Sequence, residues 1–92
     1  MKDRAHRVVC SAFANYLDVH PSYVQPHHHL LRDWGVDATE VGFIVRYIDD
    51  VAGIELDEPI ELTNVDTVGD LAQSIRQRMR RAARQANDIS RP

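Results

Sequence analysis

The chain has 92 residues, 43 % of them apolar and 27 % charged, which is one domain's worth of ordinary globular composition and not that of a disordered chain. One cysteine, Cys10, excludes an internal disulfide framework, and no apolar run reaches the roughly 18 residues of a membrane span. The net charge of −3 conceals an uneven distribution: residues 33–70 hold eleven acids against Arg46, whereas residues 74–92 hold six arginines against Asp88. An acidic middle repels nucleic acid and attracts basic protein surfaces. The chain also lacks an apolar signal region after Met1-Lys2-Asp3-Arg4, so a cytoplasmic, soluble monomer is expected, with no nucleic-acid and no membrane partner.

In chain order, Ala5, Val8, Val9, Ala12, Phe13, Tyr16 and Leu17 recur at helical spacing and predict a first helix over about 2–17. Asp18 to Gly35 reads as a long connection broken by Pro21 and Pro26. A connection of that length needs Val19, Val24, Leu30, Leu31 and Trp34 to pack it onto the core. The next helix is well marked. Asp37 is an N-cap, Glu40 three residues on completes a capping box, and Val41, Ile44, Val45, Ile48 and Ala52 form an apolar stripe that Gly53 ends. Around Pro59, residues 55–63 allow at most a short helical turn. Thr67 with Asp70 opens the last helix, whose stripe is Val68, Leu71, Ala72, Ile75 and Met79. Its arginines gather toward the C-terminal end, which suits the helix dipole. The predicted fold is all-α: a small four-helix bundle of three longer helices and one short one with a long first loop, spanning residues 1–84, and a frayed tail over 85–92.

Other chemistry is poorly served. His27-His28-His29 with His20 suggests metal, but three consecutive loop residues rarely converge on one ion, so a solvated loop is expected and no metal. Cys10 sits among Val8, Val9 and Phe13 as a small core or boundary residue. The acids are spread along a helix and a loop, so no catalytic residue is assigned and the chain is not expected to be an enzyme. On the predicted second long helix, Thr39, Glu40, Phe43, Tyr47 and Asp50 point away from the apolar stripe. Phe43 and Tyr47, four residues apart, are neighbours on that surface. With Glu40, Asp49 and Asp50 they make a candidate docking patch; the competing reading is that a neighbouring element covers both rings.

The stretch Leu31-Arg32-Asp33-Trp34-Gly35-Val36-Asp37-Ala38-Thr39-Glu40 resembles the signature of acyl carrier proteins, in which a DLG-x-DSL segment ends the first loop and opens helix II. Asp18–Pro26 is similar to that family's first loop, Ile48–Leu56 to the acidic end of its helix II, and Val65–Leu71 to the start of its last helix, so the likeness covers about residues 5–79. The resemblance implies a carrier of acyl, polyketide or aminoacyl chains on a 4′-phosphopantetheine arm, held as a phosphodiester on a serine. Its partners would be synthases, acyl- or aminoacyl-transferases and a phosphopantetheinyl transferase. Asp37, Ala38 and Thr39 occupy the attachment region, and the serine position is Ala38. As written the chain therefore takes no cofactor; the arm is expected only with serine at 38. The alanine has two possible origins, an engineered Ser→Ala exchange or a natural carrier-like module that lost its arm and kept its docking surface. The alternative function is a protein-interaction or scaffold module that never bears cargo.

Overall fold

The structure is a computed structural model that describes residues 3–56 and 58–89, with side chains through residue 85. Helix α1 spans Arg4–Leu17, α2 Leu30–Trp34, α3 Ala38–Ala52 and α4 Val68–Ile89, with one 3-10 turn at Pro21–Tyr23. Among the described residues there is no strand; the only sheet-like pairing is an isolated antiparallel bridge between His29 and Thr67. The bundle of three longer helices and one short helix is as expected, but the short helix is α2, inside the first connection. The described residues of 55–63 form no helix. The expected tail over 85–92 begins inside α4, and residues 90–92 lie outside the described ones.

Capping chemistry sets where the helices start and stop. Asp3 caps α1 by accepting the His6 N–H at 3.0 Å. At α3 the capping box is complete: the Asp37 carboxylate accepts the Glu40 N–H at 2.9 Å, and Glu40 reaches back to the Asp37 N–H at 3.5 Å. Thr67 and Asp70 exchange the equivalent bonds at α4, both 3.1 Å. Gly35 ends α2 at φ +66°, a left-handed conformation that costs any residue with a Cβ, and so turns the chain straight into Val36 and Asp37.

The apolar stripes meet in one core. Val9 and Phe13 of α1, Ile44 and Ile48 of α3, and Val68, Leu71 and Ile75 of α4 are fully buried. The long connection contributes Val24, Leu30 and Val36 to the same core, while Val19 and Trp34 pack partly against it. Leu31, expected to pack inward, is instead exposed. Cys10 is buried as expected, its Sγ 3.3 Å from His6 Nε2 and 3.6 Å from the Val24 carbonyl.

Backbone bonds fasten the connection to the first turn of α4. The Val68 N–H donates to the His28 carbonyl at 2.9 Å, Gly69 to Pro26 at 2.8 Å, and Leu30 to Asp66 at 2.8 Å. These satisfy donors that a helix start leaves unpaired. A Cβ on Gly69 would lie 3.1 Å from the Pro26 carbonyl oxygen, so the glycine permits this close approach. The His27–His29 run is therefore built into the fold and is not the solvated loop that its composition suggests. His27 is exposed, but His28 and His29 are half-buried and hydrogen-bonded.

Candidate functional site: the start and outer face of α3

Ala38 is the first residue of α3, directly after the Asp37 cap, and it is exposed. Glu40, in the same turn, accepts a 2.8 Å hydrogen bond from the Tyr16 hydroxyl and so ties α1 to the beginning of α3. That carboxylate holds the Tyr16 proton and pushes the phenol's pKa above its ordinary value. A cleft of about 200 Å³ opens beside Ala38, walled by Leu30, Leu31, Val36, Val41, Leu62 and Val65. Its lining is mostly apolar and also includes Asp37, His29 and Asp66.

Thr39 does not share that cleft. It lines a separate one of about 380 Å³ with Gly42, Phe43, Arg46, Ile60 and Leu62, between α3 and the extended segment around Pro59. Leu62 borders both. The methyl of Ala38 has no oxygen with which to form a phosphodiester, and the one neighbouring hydroxyl, on Thr39, belongs to a different wall. The residues present do not fit a covalently attached phosphopantetheine. A roomier cleft of about 450 Å³ lies across that segment, against Gln73, Gln77 and Arg81 of α4, and includes neither Ala38 nor the exposed face of α3.

Among the described residues, none covers the aromatic pair. Phe43 is 57 % exposed, Tyr47 46 % and Val51 60 %, and they follow one another at four-residue spacing along α3. The result is an apolar ridge flanked by the exposed Thr39 and Asp50 and the half-buried Glu40. Val51 is an addition that sequence reasoning missed, although its place four residues after Tyr47 was the available signal. A groove of about 190 Å³ bordered by Val8, Ala12, Tyr47 and Val51 continues the ridge toward α1.

Asp49, counted from sequence among the docking acids, has a structural role instead. Its two carboxylate oxygens accept from Arg78 Nε and Nη2 at 2.9 and 2.8 Å, and the third arm of the guanidinium, Nη1, donates to the Glu58 carbonyl at 2.8 Å. The carboxylate raises the Arg78 pKa further, and the clamp holds α3, α4 and the intervening segment together. Arg81 pairs with the Glu58 side chain at 3.0 Å on the outside of the same joint.

Among the described residues, no three histidine, cysteine or acidic side chains are arranged to hold a metal ion. No described helix is long and apolar enough to cross a membrane. Against known proteins, the chain matches no protein-family model, no curated protein and no solved structure.

Proposed function

We propose that the chain is an acyl-carrier-type module that offers the start and outer ridge of α3 to carrier-recognising enzymes and, with alanine at 38, does so without a phosphopantetheine arm. The observation that carries this reading is the exposed Ala38 at the first position of a capped helix, with an apolar cleft of about 200 Å³ alongside. A helix N-terminus is a favourable place for a phosphate, because unpaired N–H groups and the helix dipole face it. The cleft alongside is apolar, as shelter for an acyl chain requires. The partners supply all the chemistry, and this chain supplies a recognisable surface.

The ridge of Phe43, Tyr47 and Val51 favours docking in its own right, since exposed aromatic anchors beside acidic residues are what interface hot spots use. It supports equally a scaffold module that never bore cargo. One experiment separates the two. The full chain and its Ala38→Ser variant are incubated with coenzyme A and a broad-specificity phosphopantetheinyl transferase, and intact masses are measured. The carrier reading expects a gain of one phosphopantetheinyl group in the variant and none in the parent. A folded variant that stays unmodified leaves the scaffold reading alone.

A further inference from the structure

Of the four glycines in the chain, three have a structural reason. Gly35 and Gly53 sit at positive φ, and Gly69 admits the close approach of Pro26. Gly42 has neither reason. It lies inside α3, where glycine is unfavourable, and a Cβ there would meet nothing within 4 Å. The missing side chain leaves room instead, because Gly42 lines the cleft of about 380 Å³ between α3 and the segment around Pro59.

That cleft combines apolar walls with one available cation. Phe43, Val45, Pro59, Ile60 and Leu62 supply the apolar surface, and its charged residues are Arg46, Arg78 and Asp49. Asp49 and Arg78 neutralise each other through two hydrogen bonds, and the remaining arm of Arg78 is engaged by the Glu58 carbonyl. Arg46 is exposed and forms no ion pair among the described residues. Asp50, one turn on and also exposed, stands outside the lining. Arg46 is also the one base among the eleven acids of residues 33–70. Within a stretch that otherwise repels anions, it marks the place where one is accepted.

We propose that this cleft binds a single-chain alkyl carboxylate non-covalently, with the chain over Gly42 between Phe43 and Ile60 and the carboxylate on Arg46. A guanidinium matches a carboxylate in both charge and shape. Small-molecule sites are mostly apolar, of roughly 300–1,000 Å³, with a few polar groups that fix orientation, and this cleft has that character. It shares only Leu62 with the cleft beside Ala38, so occupancy does not depend on what residue 38 carries. The inference holds whether or not the chain is a carrier.

The test titrates the full chain near neutral pH with octanoate and with decanoate, read by amide ¹H–¹⁵N shifts. Saturable shifts are expected at Thr39, Gly42, Phe43, Arg46 and Ile60, and little change at Leu30, Leu31 and Val36. Each added methylene should tighten binding by up to about fourfold, the factor that corresponds to about 0.8 kcal/mol per buried CH₂. Arg46→Gln should weaken octanoate about two- to fivefold and leave uncharged octanol unchanged. Gly42→Leu fills the floor with a better helix former and should abolish binding of both. Undiminished binding by a folded Gly42→Leu would overturn the proposal. So would equal octanoate affinity in Arg46→Gln, a comparison that stands even if Gly42→Leu fails to fold. Shifts centred on Leu30, Leu31 and Val36 would overturn it in favour of the cleft beside Ala38. Absence of saturation would do so in favour of a partner protein's side chain, and a response that varies with protein concentration in favour of a second copy of the chain.

Discussion

Replacing Arg78 by methionine measures what fastens the segment between α3 and α4. The Arg78 side chain is 9 % exposed, and its guanidinium makes three charge-assisted bonds, two to Asp49 and one to the Glu58 carbonyl. Methionine keeps much of the stem and deletes the fork. Asp49, with its side chain 20 % exposed, is then a carboxylate without its cation, and the Glu58 carbonyl loses its donor. Breaking a buried pair by removing one member costs about 3–5 kcal/mol, and the water that still reaches Asp49 puts this case near the lower end, about 3 kcal/mol. A domain of this size loses roughly 4–8 °C of melting temperature per kcal/mol, so the midpoint should fall by roughly 12–24 °C. The double variant Arg78→Met/Asp49→Leu also removes the stranded charge and should recover much of the loss. Arg81→Ala breaks an exposed pair and should cost under about 1 kcal/mol. Urea unfolding of these proteins and of the single variant Asp49→Leu, followed by circular dichroism, closes the cycle. An Arg78→Met loss no larger than that of Arg81→Ala would refute the clamp.

The ridge and the fold should separate cleanly. Phe43→Ala and Tyr47→Ala should each change stability by no more than about 0.5 kcal/mol, while weakening capture by a carrier-recognising enzyme in a binding titration. Gly35→Ala places a Cβ at φ +66° and should cost about 1 kcal/mol in the same urea assay, although open space surrounds the position. In acid, stability should fall. Asp3, paired with Arg76 and capping α1, is held at about 2 against an ordinary 3.8, and backbone N–H groups lower Asp33 and Asp70 in the same direction. A depressed carboxylate stabilises the fold above its unfolded pKa and ceases to as pH drops through the folded one. The loss should therefore run from about pH 4 toward about pH 2 in midpoint measurements.

Local chemistry was readable in the sequence and long-range pairing was not. The capping boxes at Asp37/Glu40 and Thr67/Asp70, the stop at Gly53 and the stripe from Val41 to Ile48 depend on residues within a few positions of one another, and the structure contains them all. The outward face of Phe43 and Tyr47 followed from helical periodicity alone. Asp49 and Arg78 are 29 positions apart, and in a chain this charged each reads as one more solvated side chain. The histidine run misled for a different reason: composition reports polarity, whereas the His28 and His29 rings accept from backbone N–H groups three residues away. Helix α2 was hidden because five residues between a histidine and a glycine are too few to show a period.

Helices α1 and α4 lie at opposite ends of the chain, yet they are clipped to each other by Asp3 and Arg76, 73 positions apart. During synthesis the buried face of α1, with Val9 and Phe13, emerges long before the α4 residues that cover it, Leu71 and Ile75. The core therefore closes only once the stripe of α4 has packed on that of α1, a contact of long sequence separation of the kind that slows folding.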